Sequence, residues 1–282
     1  MKNMMGAIAF LAGFLPSMPA IAQSETGDVF SDCAGCPEMV ALPAGSYQRG
    51  EPASLRPSNS NEVPEHRVSI SRLAVGRYEV TFDEFDRCRN AGVCTHNPDD
   101  HGMGRGNRPV VDVNWADAQQ YIGWIRQETG EDYRLLSESE WEYAARGNQA
   151  YEFPGEDQWS CTRGNIADVA WSAAYNTSPR FTVGCNDHFI QTAPVGTFRM
   201  NGFGLFDMAG NVWEWTQDCY NQNYNRVPTD GSAWLTGQCV SRIIRGGSWS
   251  DDISYARSAK RIADFSTYRS SNIGFRIARS LP

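Results

Sequence analysis

Eight cysteines behind an export leader constrain this chain more than any other feature. Lys2 supplies a positive start, Met5 to Leu15 is mostly apolar, and Ala20-Ile21-Ala22 forms an A-x-A cleavage signal before Gln23. This is the pattern of a secretory signal peptide over residues 1–22, with an uncleaved interfacial anchor as the competing reading. The apolar run is too short to span a bilayer comfortably. No cysteine follows the cleavage site to carry a lipid. The mature chain is expected in the periplasm or outside the cell, with no membrane span once the signal is cleaved. In that oxidising setting Cys33, Cys36, Cys88, Cys94, Cys161, Cys185, Cys219 and Cys239 are expected to form four disulfides. Proximity in sequence favours 33–36, 88–94, 161–185 and 219–239, although spacing alone does not fix the pairing. Cys33-x-x-Cys36 also admits a zinc half-site or a redox motif. No second C-x-x-C and no His pair at zinc-finger spacing accompanies it.

A chain of 282 residues that is 41% hydrophobic and 21% charged can bury a large core. Its formal charge of −8 opposes nucleic-acid binding, which needs a basic surface to displace counterions. A polar, cysteine-containing lead-in covers 23–38, and one domain covers 39–282. Met39 to Gly50 reads as a strand and turn, and alternation over His66 to Ile70 reads as a strand. Thr81-x-x-Glu84 and Ser137-x-x-Glu140 are capping boxes that predict helices. Asn114 caps a third helix with an apolar stripe of Ala118, Tyr121, Ile122 and Ile125, ended by Gly130. After Gly147 no helical period stands out. That half is rich in Gly, Asn and Trp, and disulfides or bound ions would make so long an irregular stretch reasonable.

Familiar catalytic patterns are absent. Gly246-Gly247-Ser248-Trp249-Ser250 does not meet the Gly-x-Ser-x-Gly frame of a nucleophile elbow. Gly102-x-Gly104-x-Gly106 precedes Pro109 in a polar loop with no following helix, against a phosphate role. His96 and His101 flank Asp99 and Asp100 in a spacing that matches no metal-ligand frame and favours a solvated loop.

Five motifs occur in order: Pro109-Val110-Val111-Asp112-Val113-Asn114-Trp115; Arg134 to Arg146 (RLLSESEWEYAAR); Gly204 to Trp215 (GLFDMAGNVWEW); Arg245-Gly246-Gly247-Ser248-Trp249; and Asn272-Ile273-Gly274-Phe275-Arg276. The chain resembles the formylglycine-generating-enzyme family, the sulfatase-modifying-factor domains, from about Met39 to Arg279. The resemblance implies an α+β domain, C-type-lectin-like, with little regular secondary structure. It also implies two structural calcium sites. The first would use the side chains of Asn165 and Asp187 with the carbonyls of Ile166 and Phe189. The second would use Asp207 and Glu214 with the carbonyls of Gly210 and Val212. Calcium takes such hard oxygen ligands. The competing reading has Asp207 and Glu214 capping turns or pairing with arginines.

Formylglycine-forming relatives hold copper with two cysteines shortly after Gly-Gly-Ser, and soft thiolates suit Cu(I). Here the first such position falls at or near Asp251, the second near Ile253 or Ala256, and no cysteine follows Cys239. No copper is expected, and the formylglycine activity is expected to be lost. Three functions remain open. The first is a calcium-stabilised accessory protein that binds a peptide or small molecule in the envelope. The second is an oxidoreductase-type maturation enzyme of the periplasm, as in pyoverdine siderophore maturation. The third is a ligand-display protein with a diversified C-terminal surface. From Arg242 to Arg279 eight basic residues face only Asp251, Asp252 and Asp264, which fits a groove for a carboxylate or an extended peptide. Ser248, Trp249, Asp251, Tyr255, Arg257, Arg261 and Asn272 are its candidate residues. Arg245, Arg276 and Arg279 are expected instead to brace loops.

Overall fold

The computed structural model describes residues 27–52, 60–155, 158–178 and 182–282; the signal peptide expected over 1–22 lies outside the described residues. In chain order the elements are β1 (Val29–Phe30), β2 (Met39–Leu42), β3 (Gly45–Arg49), β4 (His66–Ile70), β5 (Leu73–Gly76), α1 (Phe82–Asn90), α2 (Trp115–Thr129), β6 (Tyr133–Leu135), α3 (Glu138–Arg146), α4 (Val169–Tyr175), β7 (Trp213–Tyr220), β8 (Gln238–Arg245), β9 (Arg261–Phe265), β10 (Ile273–Gly274) and β11 (Ile277–Ser280). The class is α+β, as expected. Among the described residues no helix is long and apolar enough to cross a membrane.

The three helices expected from their start signals all form, each with a reciprocal capping box: Thr81 with Glu84, Asn114 with Asp117, and Ser137 with Glu140. Gly130 ends α2 in the left-handed region that costs a glycine nothing. The Met39 to Gly50 run is two strands. β2 joins a five-stranded sheet in the order β1-β2-β5-β11-β6, while β3 pairs with β4 in a separate hairpin. β2 and β5 are buried at every position and accordingly lack alternation. β11, the last strand, lies antiparallel between β5 and β6 and so ties the end of the chain to its beginning.

The second half is more regular than its composition implied. β7 and β8 are eight residues each and form the centre of a four-stranded sheet, β10-β7-β8-β9, in which β10 runs parallel to β7. α1 and α2 pack over the core, where Phe85, Tyr121 and Phe275 meet with ring centroids 5.6 to 6.5 Å apart. All eight cysteines are paired, as Cys33–Cys36, Cys88–Cys94, Cys161–Cys185 and Cys219–Cys239. These are local staples, so the long-range closure falls to strands and to buried arginines.

Candidate functional site

Ser248 and Asp251 reach one place because two glycines turn the chain at the end of β8. Gly246 and Gly247 have φ of 102° and 76°, a region closed to most side chains, and a Cβ on Gly247 would lie 3.0 Å from the Tyr255 carbonyl. The loop then enters a single 3₁₀ turn, Ile253–Tyr255, capped by the Asp252 side chain. Asn272 arrives from the residue before β10, and Trp213 from the first residue of β7, which β10 pairs with.

These side chains form one hydrogen-bonded cluster. Asp251 Oδ2 accepts from the Ser248 hydroxyl in a short bond and from Trp213 Nε1 at 2.8 Å. Asn272 Nδ2 donates to Ser248 Oγ at 3.2 Å and to Ser250 Oγ at 3.3 Å, and the Ser270 hydroxyl holds Asn272 Oδ1 at 2.6 Å. Burial pushes the Asp251 carboxyl above the ordinary range, against the lowering effect of the bonds from Ser248 and Trp213. A partly buried carboxylate that shares a proton with a serine hydroxyl can take up or return a proton at a bound molecule. Aromatic rings border it: Tyr175 lies 6.1 Å from Trp249, and Trp213 meets Tyr255 edge-on at 6.0 Å. Tyr175 belongs to α4 and is 43% exposed, so it offers a free face.

Five of the seven groove candidates therefore gather here: Ser248, Trp249, Asp251, Tyr255 and Asn272. Arg257 and Arg261 do not. Arg257 is clamped by both oxygens of Glu62 at 2.8 Å, and Arg261 donates to Glu138 at 2.6 and 3.0 Å. Both are buried and serve as braces, which corrects their placement in the groove. The basic run as a whole is matched internally. Arg245 pairs with Glu138 and Glu142, Arg269 with Asp117, Arg276 with Glu214, and Arg279 with Asp32 and Glu131, while Arg242 lies over the Trp115 ring. Sequence reading missed Trp213 and Ser250 as site residues, although Trp213 lies in a quoted motif and Ser250 directly follows another. It missed Tyr175 because α4 has no apolar stripe to announce it.

The two expected calcium sets fare differently. At the first, Asn165 and Asp187 are buried, and Asn165 Oδ1 and Asp187 Oδ2 accept no hydrogen bond. Asn165 Nδ2 is fixed by the Gln191 carbonyl at 2.8 Å, and Asp187 Oδ1 accepts the Phe189 N–H at 2.8 Å, so each free oxygen is held in place. Burial pushes the Asp187 carboxyl up to about 7. Two buried, oriented, unsatisfied oxygens fit a hard cation. At the second, Glu214 is fully engaged: Arg276 Nε and Nη2 grip its oxygens at 2.7 to 2.9 Å, and Trp141 Nε1 donates at 2.6 Å. That carboxylate does not fit the role of a ligand, and its arginine pairing is the competing reading realised. Gly210, by contrast, is required where it stands: its φ is 76°, and a Cβ there would fall 1.9 Å from the Asn165 carbonyl. Among the described residues no three His, Cys, Asp or Glu side chains group as a metal site. His96 and His101 instead lie 3.3 and 3.9 Å from the two oxygens of Asp112.

Residues 25–281 match the family model for a sulfatase-modifying factor enzyme 1-like domain. The chain belongs to this family. It is 37% identical over 185 residues to the formylglycine-generating enzyme of Streptomyces coelicolor, covering 62% of this chain and 54% of that enzyme. It is 34% identical to the Thermomonospora curvata enzyme, covering 85% of this chain and 92% of the relative. Among solved structures it is similar to PvdO from Pseudomonas aeruginosa, with a TM-score of 0.76 and 35% identity over 92% of this chain and all of that one. All eight cysteines of this chain are held in disulfides, so none of them offers a free thiolate.

Proposed function

We propose that this chain is an exported maturation enzyme of the sulfatase-modifying-factor family that lacks the copper-binding cysteines, acting on a siderophore-type small molecule rather than making formylglycine. The Asp251 cluster is the observation that carries this reading. Where the family resemblance leads one to expect a thiolate, at or near Asp251, it offers a half-buried carboxylate that is raised in pKa and bonded to Ser248 and Trp213. The likeness to PvdO over nearly the whole chain supports it. In the proposed step a proton of a reduced, pyoverdine-type precursor passes to Asp251. The electron pair and a second proton pass with it to dioxygen, which leaves as hydrogen peroxide and gives an unsaturated ring.

The test supplies the mature chain with a dihydropyoverdine-type precursor under air and follows chromophore absorbance and peroxide. Asp251→Asn should remove turnover. The acid limb of the wild-type rate profile should lie above the ordinary carboxylate range, as the raised pKa of Asp251 requires. No turnover, with calorimetry showing that the precursor still binds, would favour a second reading: an accessory protein that holds a peptide or small molecule against Tyr175 and Trp249. A cysteine-containing sulfatase peptide supplied with Cu(I) should give no aldehyde.

The first calcium set belongs to the same proposal. Asn165 and Asp187, with the carbonyls of Ile166 and Phe189, would hold a structural ion that ties down the loop between α4 and β7. Chelation should lower the melting temperature and calcium restore it, since a ligand held only by the folded state stabilises that state.

A further inference from the structure

A cavity of about 560 Å³ opens between the end of β3, the end of α3 and the loop that follows α3, and none of the Asp251 cluster lines it. Small-molecule sites have volumes of roughly 300–1,000 Å³. The walls are built by close approaches. Gly50 follows β3 with a φ of 88°, and a Cβ there would fall 2.5 Å from the Glu62 carbonyl oxygen. That turn lets the Gly50 N–H donate to Glu142 at 2.9 Å while its carbonyl accepts from Arg146 at 3.1 Å. Tyr143 and Arg146 are three positions apart on α3 and so share a face. Two rings are fixed by their hydroxyls: Tyr47 donates to the Ser139 carbonyl at 2.7 Å and Tyr143 to the Pro43 carbonyl at 3.1 Å, with ring centroids 5.6 Å apart. Past Gly147 the loop turns back, and the Ser258 N–H pins the Glu152 carbonyl at 2.8 Å.

The charge of the lining is one-sided. It carries three carboxylates, Glu51, Glu65 and Glu152, and one cation, Arg146. Arg146 is already matched, since its Nε and Nη2 bond Glu142 at 3.1 and 2.9 Å. Glu51 is 8% exposed; Arg257 gives its two 2.8 Å bonds to Glu62 and stands 3.4 Å from Glu51. Glu65 and Glu152 are exposed at the rim. These carboxylates do not converge on a point: among the described residues no three His, Cys, Asp or Glu side chains group as a metal site. Spread acceptors suit a positive charge carried on an extended molecule, and tyrosine faces accept both a cation and a hydrocarbon stem. We propose that this cavity binds an organic cation, an ammonium or guanidinium group on a hydrocarbon stem, with the charge among Glu51, Glu65 and Glu152 and the stem against Tyr47 and Tyr143. The site is separate from the Asp251 chemistry, so turnover plays no part in its test.

The experiment titrates the mature chain by calorimetry with agmatine, with a blocked tripeptide whose central residue is arginine, and with pentanamide as a neutral control. Saturable binding of agmatine or the peptide is expected, and none of pentanamide. The double variant Glu65→Gln/Glu152→Gln should weaken that binding by at least about tenfold, because charge-assisted contacts are lost. Both positions are exposed, so the fold should persist. Gln149→Lys adds a positive charge to the exposed part of the wall, should weaken binding likewise, and carries the test if the double variant fails to fold. Tighter binding of the peptide assigns the cavity to a basic chain segment, and tighter binding of agmatine to a free amine; either result upholds the site. No saturable heat from agmatine or the peptide overturns the proposal. So does equal affinity for pentanamide, or an affinity that these variants leave unchanged. An affinity lost in Asp251→Asn and kept in the double variant places the cation in the other cluster and overturns it as well.

Discussion

Glu138 gathers more buried charge than any other residue described. Its carboxylate meets Arg49 at 2.7 Å, Arg245 at 3.1 Å and Arg261 at 2.6 Å, and all four side chains are within 1% of complete burial. Burial alone would raise its pKa, but Arg261, Arg49 and Arg245 together outweigh it and hold the group well below the usual carboxylate range. A carboxyl depressed in the folded state stabilises that state above its unfolded pKa, and the gain is lost as pH falls toward the folded value. Glu138→Gln should therefore cost about 3–5 kcal/mol in urea melts at pH 7, because it strips the shared counter-charge from buried guanidinium groups. The gap between variant and wild type should narrow steadily below about pH 4, as Glu138 begins to take up a proton in the unfolded chain while the folded carboxylate stays ionised. A gap that stays constant down to pH 2 would mean that the carboxylate is not the source of the stability. None of this network could be read from composition. The run of arginines near the C terminus was visible, but their partners Glu62, Glu138 and Glu142 lie 100 to 200 positions away, so Arg257 and Arg261 could be mistaken for a ligand-binding pair.

Elements were legible where their signals are local. Each of the three expected helices carries its start signal within four residues, and the capping boxes close as read. Asn114→Ala removes the acceptor for the Asp117 N–H, held at 2.9 Å, and should cost about 1 kcal/mol, up to about 2, in chemical unfolding. An unchanged midpoint would show that the Asp117–Arg269 pair alone sustains the start of α2. α4 escaped notice because its cap, Asp168, precedes a helix whose only fully buried residue is Ser172, so no stripe marks it. β7 and β8 escaped for another reason: β7 is buried at six of eight positions, and its run of Trp, Glu, Thr and Asp does not alternate. The Cys161–Cys185 bridge encloses α4 and part of the first calcium set. Replacing both cysteines by Ser should cost about 3 kcal/mol, the larger loss, against about 2 kcal/mol for the four-residue Cys33–Cys36 loop, as loop closure scales with length. Comparing the two double variants in guanidinium melts checks the order; equal losses would mean that strain or unfolded-state structure dominates.

At the scale of the whole molecule, the chain is closed by its end rather than by its disulfides, whose partners are 3 to 24 positions apart. β11 is a central strand: Ala278 pairs with Val75 on one side and Arg134 on the other. Ile277 and Ala278 are fully buried, and Arg279 reaches back across 247 positions to bond Asp32 at 2.9 and 3.0 Å. Removing residues 277–282 would expose the ladder edges of β5 and β6, separate β6 from the rest of its sheet, and leave Asp32 facing Tyr133 without its arginine. It would also release Phe275 and Arg276, which lock α1, α2 and Glu214 from the segment just before β11. The truncated chain is expected to lose cooperative unfolding and near-ultraviolet circular dichroism altogether. Removing only Leu281 and Pro282, which follow the last strand, should shift the melting temperature by a few degrees at most, because little buried surface goes with them. A cooperative melt from the six-residue truncation would place the folding unit in the first sheet without β11, and the polar cluster at Ser248, Asp251 and Asn272 should then survive it. If closure by β11 governs, that cluster is lost with it, since Asn272 is delivered by the segment that β11 anchors.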